Sequence, residues 1–189
     1  MGQVIGIFTK KNNNIFNQTP LYAEEESYYS LANIFLDSNT YINKILESST
    51  LEEGRKNLLK LTDKELSSLI YNNVQDFADD EIEYRNSSKE QLPENFRAIK
   101  MKYDPEKGEV IYSDEYESLE NWSEVNTIID ALYKVKEVLF EDLKKAIQNG
   151  ENTDYRKYSF DNIQILLITI KTLKKTNGID EVALIYAPY

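Results

Sequence analysis

Histidine and cysteine are both absent from these 189 residues. Their absence removes the Ser-His-Asp triad, the thiolate nucleophile and the histidine-rich zinc site. Any catalysis would have to run on carboxylates, lysine or tyrosine. No disulfide can staple the fold, and none is needed, because a chain of this length buries roughly 70% of its unfolded surface. The lack of thiols fits a reducing compartment. The six glycines are scattered, and neither G-x-x-x-x-G-K nor G-x-G-x-x-G occurs, so phosphate-loop chemistry has no signature. Long apolar runs are missing too. Ile165 to Ile170 is interrupted by Thr169 and falls far short of the roughly 18 residues of a membrane span. Met1 to Phe8 is apolar, but no basic region precedes it and Lys10 and Lys11 follow, so it does not read as a signal peptide. The expectation is a cytoplasmic, soluble protein.

What is present is negative charge, unevenly placed. The chain carries a formal charge of −11. Residues 76–124 hold fifteen acidic and six basic side chains, a net −9 of that total. Phe77, Tyr84, Phe96, Tyr103, Tyr112, Tyr116 and Trp122 lie among them. Phosphate binding needs lysine and arginine to displace counterions, so nucleic acid is a poor partner. Anionic membranes are disfavoured for the same reason. A basic protein is favoured, because opposite fields speed encounter.

The pattern along the chain reads as α+β. Val4 to Thr9 is β-prone, and Asn12 to Gln18 reads as a loop. Thr19 and Pro20 open a helix with Tyr28, Leu31, Ala32 and Phe35 on one face. A short helix with Ile42, Ile45 and Leu46 comes next. Thr50 with Glu53, and Thr62 with Glu65, form capping boxes. The second box opens a helix carrying Leu66, Leu69, Ile70, Val74 and Phe77. Arg97 to Asp114 is a hairpin, with Asp104-Pro105-Glu106-Lys107-Gly108 as its turn. From Ser123 a long helix carries Val125, Ile128, Ile129, Leu132, Val135, Leu139, Leu143 and Ile147, closed by Gly150. Glu151 to Lys157 connects it to a second long helix, Ser159 to Lys175. That helix is apolar on most sides, so a central place is expected. Glu181 to Ala187 is a last strand. The expectation is one α+β domain, residues 1–189, with about six helices. They pack on a small sheet made by the two terminal strands and the central hairpin.

Tyr28, Tyr103, Tyr112 and Tyr186 lie in register with apolar stripes and are expected to edge the core. Two segments flanking the hairpin remain as the candidate partner-binding site. They are Asp79, Asp80, Glu81, Glu83 and Tyr84 on one side, and Asp114, Glu115, Tyr116, Glu117, Glu120 and Trp122 on the other. Aromatic anchors ringed by carboxylates suit a basic protein surface. Asp79, Asp80, Glu81 and Glu83 could offer hard oxygen ligands, but no spacing matches a calcium loop, so neither a metal nor a cofactor is expected. In type, this small, acidic profile without the usual catalytic side chains resembles the immunity proteins of bacterial toxin–immunity pairs. That resemblance implies an inhibitor that caps a basic toxin, a nuclease above all, at its nucleic-acid groove. Two other readings stand beside it: a non-catalytic adaptor domain, and a small-molecule or sugar hydrolase working through paired carboxylates.

Overall fold

Val182, Ala183, Leu184 and Ile185 are all buried. A strand sends successive side chains to opposite faces, so this segment must be covered on both sides. The computed structural model describes residues 3–18, 60–69, 72–77, 91–93, 96–104 and 106–188. It contains an eight-stranded sheet in which that segment belongs to a strand near the centre. In chain order the elements are β1 (Gln3–Lys11), β2 (Asn14–Asn17), α1 (Asp63–Ser68), β3 (Asn72–Phe77), β4 (Arg97–Asp104) and β5 (Glu109–Tyr112). They continue with β6 (Glu117–Ser118), β7 (Ser123–Glu124), α2 (Val125–Gln148), α3 (Asp154–Asn177) and β8 (Glu181–Pro188). The main path across the sheet is β2-β1-β8-β3-β4-β5, with β6 beside β4 and β7 beside β8.

The chain ends pair as expected. β1 and β8 run antiparallel from Gln3 opposite Pro188 to Lys10 opposite Glu181. One face of the sheet, with Ile7, Val182 and Leu184, meets α1, α2 and α3 through Leu66, Ile128, Leu132, Leu139, Ile163, Leu167 and Ile170. The other face carries Phe8, Val74, Phe77, Ala98, Ala183 and Ile185, covered by Leu92, Phe96 and Leu119. Phe8 and Phe96 meet edge to face with ring centroids 5.3 Å apart, a geometry aromatic pairs prefer.

Several expectations are corrected. The described residues hold three helices rather than six. The helices expected after Thr19, around Ile42 and after Thr50 lie outside the described residues. The helix opened by Thr62 stops at Ser68, and Asn72–Phe77 is strand β3. Val74 and Phe77, three apart, mimic a helical stripe. A bulge between Val74 and Asp76 sets Val74 opposite Lys100 and Phe77 opposite Ala98. A bulged strand thus buries both on one face. Asn12 and Asn13, at φ 50° and 66°, make a two-residue hairpin turn in the left-handed conformation asparagine tolerates. Residues 14–17, expected as loop, therefore return as β2. Ser123 begins a two-residue strand, and the helix starts at Val125. α3 begins five residues earlier than expected, and it is not central, because Ile165 and Ile168 are half exposed. Ile147, placed on the buried stripe of α2, is exposed as well, and Ala146 is buried in its place. Gly150 and Gly178 take the left-handed conformation that ends a helix. Among the described residues no helix is long and apolar enough to cross a membrane.

Two buried polar groups hold the layers. β7 and β3 share one edge of β8, β7 opposite Glu181 and Val182, β3 opposite Ile185 and Tyr186. Asn72 fills the junction. Its side-chain N–H donates to Asn121 O at 3.2 Å and Leu184 O at 3.3 Å, and its Oδ1 accepts from Asn121 N at 3.1 Å. Asn72 is 6% exposed, and orphaning buried backbone groups costs about 1–3 kcal/mol. Asn72→Ala is therefore expected to lower the unfolding free energy by about 1–3 kcal/mol. Asn72→Asp, which keeps the acceptor but loses the donor and adds a charge, should not restore it. A urea denaturation midpoint unchanged in both variants would show that the junction carries no stability.

Glu65 performs the second task. Its Oε2 accepts from Thr62 N at 2.7 Å, completing the capping box, and from Lys134 Nζ at 2.7 Å, tying α1 to α2. Burial pushes the Glu65 carboxyl up, but hydrogen bonds from Lys134 and Thr62 outweigh it and leave the group below 4.5. A depressed carboxylate stabilises the fold above its unfolded value, and that contribution disappears as pH falls through the folded one. Stability should thus decline from about pH 4.5 downward. Glu65→Gln should flatten that part of the acid profile in a pH series of thermal melts.

Candidate functional site

Ser113 ends the hairpin by turning the chain back on itself. Its N–H donates to Lys100 O at 2.9 Å, and its Oγ accepts from Lys100 N at 2.8 Å. Asp114 and Glu115 form the bend after it and are exposed. Glu117 and Ser118 then pair with Ala98 and Arg97. The chain crosses the second face from β6 on β4 to β7 on β8, inserting Leu119 into that core. The result is a strap, residues 113–122, laid across the face opposite the described helices.

The strap is held at three points. Leu119 is 7% exposed. Asn121 is bonded to Asn72. Lys100 Nζ reaches Glu117 Oε2 at 3.0 Å and Glu120 Oε1 at 2.9 Å, with only 13% of its side chain exposed. Burial depresses the Lys100 ammonium, but the two carboxylates, Glu120 foremost, overcome that and raise it above 10.5. Its stabilising contribution is thus complete below pH 10.5 and is lost as pH rises through the raised value.

The structure sorts the expected site residues. Asp79, Asp80, Glu81, Glu83 and Tyr84 lie outside the described residues. Glu117 and Glu120 are on the strap but are engaged by Lys100. Tyr116 is half-buried. Trp122 packs against the second core, donates its indole N–H to Leu119 O at 3.2 Å, and is covered by Lys10 Nζ at 4.0 Å from the ring centroid. It is a structural residue in the free chain. Asp114 and Glu115 remain as carboxylates turned to solvent.

Beside them lies a surface that sequence reasoning missed. Val110, Ile111 and Tyr112 are 49%, 46% and 49% exposed. Tyr112, expected at the edge of the core, lies on the outermost strand. No sequence signal marks it, because a hairpin pattern does not say which of its two strands lies outermost, and β5 at four residues is too short for an alternating pattern.

Among the described residues no group of three or more acidic side chains is arranged to hold a metal ion. A cleft of about 300 Å³ lies between β2 and the end of α3, lined by Lys11, Phe16, Gln18, Thr176, Asn177 and Ile179. Among the described residues its lining contains no carboxylate, so these residues offer nothing to the hydrolase reading. Gln18 donates from Nε2 to Thr9 Oγ1 at 2.7 Å, while its Oε1 is buried without a partner. No family model matches the chain, and neither a curated protein nor a solved structure matches it.

Lys100→Met tests the strap. It leaves Glu117 and Glu120 facing each other without their cation. Because both carboxylates are largely exposed, the expected cost is about 1–2 kcal/mol, below that of a fully buried pair. Trp122 fluorescence should shift to the red as the strap loosens. Wild-type emission together with a wild-type urea midpoint would show that Lys100 does not hold it.

Proposed function

We propose that this chain is a protein-binding inhibitor of the immunity type, which neutralises a basic toxin domain, a nuclease above all, through the acidic strap and its surroundings. The observation that carries this reading is the state of Asp114 and Glu115. They are exposed at the bend of a strap whose next carboxylates are fixed by Lys100. Charges presented from a fixed backbone lose little freedom on binding, so more of their attraction survives as affinity and on-rate. The concentration of net charge in residues 76–124 points the same way. So does the lack of histidine and cysteine.

A second reading, a structural or adaptor domain, draws on the outer surface of the long helices. Phe140, Ile147, Ile165 and Ile168 are each at least half exposed there. Such an interface would be indifferent to the charge of the strap.

One experiment separates the two. The chain is co-purified with a candidate basic toxin domain, and the complex is titrated with potassium chloride. The inhibitor reading expects affinity to fall with salt. It also expects the double reversal Asp114→Lys and Glu115→Lys to weaken the complex by at least about tenfold, since each 1.4 kcal/mol is a factor of ten. The same variant should fail to protect cells that produce the toxin domain. A complex indifferent to salt and to charge reversal overturns the inhibitor reading in favour of the adaptor.

A further inference from the structure

The two ends of the sheet differ. At one end β2 is covered, because Phe16 bridges to Gln91 and Leu92 N donates to Ile15 O at 2.8 Å. At the other end β5 is the last strand of the path. It pairs with β4 from Glu109 opposite Asp104 to Tyr112 opposite Met101, without a bulge. Proteins usually blunt such an edge with proline, an irregularity or an inward-pointing charge. β5 has none of these over Val110-Ile111-Tyr112.

The backbone shows which groups face outward. Ser113 N–H is directed at Lys100 O. Neighbouring residues of a strand turn their N–H and C=O groups to opposite edges. Ile111 and Glu109 therefore bond toward β4, and Val110 and Tyr112 present their N–H and C=O groups to the other side, where no described strand pairs with β5. Val110 and Tyr112 share one face of the strand, Ile111 the other. Glu109 lies on the strand, and Asp114 and Glu115 come just after its end, all three exposed.

From this we propose that β5 is a docking strand, whose open edge takes an extended, lysine- or arginine-rich segment of a protein partner as an added strand. The proposal rests on the basic-partner reading above and specifies its geometry. Main-chain bonds to Val110 and Tyr112 supply register, and the exposed apolar side chains supply contact area. The surrounding carboxylates select a basic strand. They also argue against a second copy of this chain, because edge-to-edge pairing would bring Glu109, Asp114 and Glu115 against their own equivalents on a molecule of charge −11.

The test uses the full chain and three blocked ten-residue peptides. The first alternates lysine with valine. The second is the same peptide N-methylated at every backbone nitrogen, which keeps charge and side chains but removes the ladder donors from both edges. The third replaces lysine with glutamate. Calorimetry gives affinity, and amide hydrogen exchange by NMR gives the site. The expected result is saturable, salt-sensitive binding of the lysine peptide. Exchange at Val110 and Tyr112 should slow at least tenfold at saturation, while Ile111, already bonded to β4, changes less. The N-methylated and glutamate peptides should bind at least tenfold more weakly. Equal binding of the N-methylated peptide, or saturation without protection of Val110 and Tyr112, overturns strand addition. If that binding still falls with salt and with reversal of Asp114 and Glu115, the acidic-face reading survives alone. No binding of the lysine peptide, or equal binding of the glutamate peptide, overturns the proposal. So does protection that appears without peptide as protein concentration rises, which would identify a second copy as the occupant.

Discussion

β8 has two edges, and both must be paired along their length. Its buried side chains leave no water to serve its N–H and C=O groups, and an unpaired buried backbone group costs as much as a lost hydrogen bond. β1 covers one edge from end to end. The other is covered in two pieces, β7 against the start of β8 and β3 further along. This division dictates the course of the chain between β6 and α2. β7 comes directly after the strap, so the chain leaving β6 must cross the second face to reach β8. α2 then starts where β7 ends, with Val125 N bonded to Asp180 O at 3.0 Å. The course of residues 119–122 across that face is thus a consequence of how the central strand is satisfied. Asn72 closes the gap where the two pieces meet, and its amide serves backbone groups from both sides of it.

Carboxylates that look alike in the sequence have different physical lives. Glu65 is a helix cap and an inter-helix tie. Glu117 and Glu120 neutralise a nearly buried lysine. Glu124 meets Lys64 at 2.9 Å, and Glu181 meets Lys10 at 3.5 Å. Asp142 and Glu151 share Arg156. The exposed Lys64–Glu124 pair contributes only about 0–1 kcal/mol, but all these pairs reduce the number of carboxylates available to a partner. No ion pair among the described residues uses Asp114 or Glu115, and these two sit at the bend. A charge count over residues 76–124 therefore locates the acidic region but overstates the surface that can act.

The sequence made the local features legible and left the non-local ones hidden. The terminal strands, the hairpin, the Thr62–Glu65 capping box and the two long helices each have a short-range signature: alternation, turn chemistry, a reciprocal cap, a 3.6-residue period. β3 reads as helix because Val74 and Phe77 are spaced as in one, and the bulge that lets a strand use that spacing depends on β4, more than twenty residues away. β6 and β7 are two residues each. No periodicity exists at that length, and only their partners make them strands. The surroundings of Trp122 are hidden for a related reason. Its polar neighbours suggest exposure, but the folding back of the strap supplies Leu119 O for its N–H and Lys10 for its ring. Of the candidate site, the acidic bend is readable from composition. The open apolar edge beside it is not, because a hairpin signal does not say which of its strands lies outermost.

An open edge is ordinarily a liability, and its surroundings determine which liabilities are realised. Val110, Ile111 and Tyr112 are β-prone and could in principle recruit any strand, including another copy of this one. Glu109 on the strand and Asp114 and Glu115 at its end raise the energy of every pairing that brings a second acidic strand alongside. The same charges lower the energy of pairing with a basic strand. Like charges opposite each other destabilise a ladder and opposite charges stabilise it by comparable amounts, roughly 0.2–1 kcal/mol per pair. The discrimination is therefore the sum of both effects over several positions. Salt screens that sum within about 10 Å at 0.1 M, whereas the main-chain bonds and apolar contacts it guides are much less affected. In the proposed docking mode, such an edge would repel its own kind and favour a basic strand, with selectivity set by charge and register by the backbone of Val110 and Tyr112.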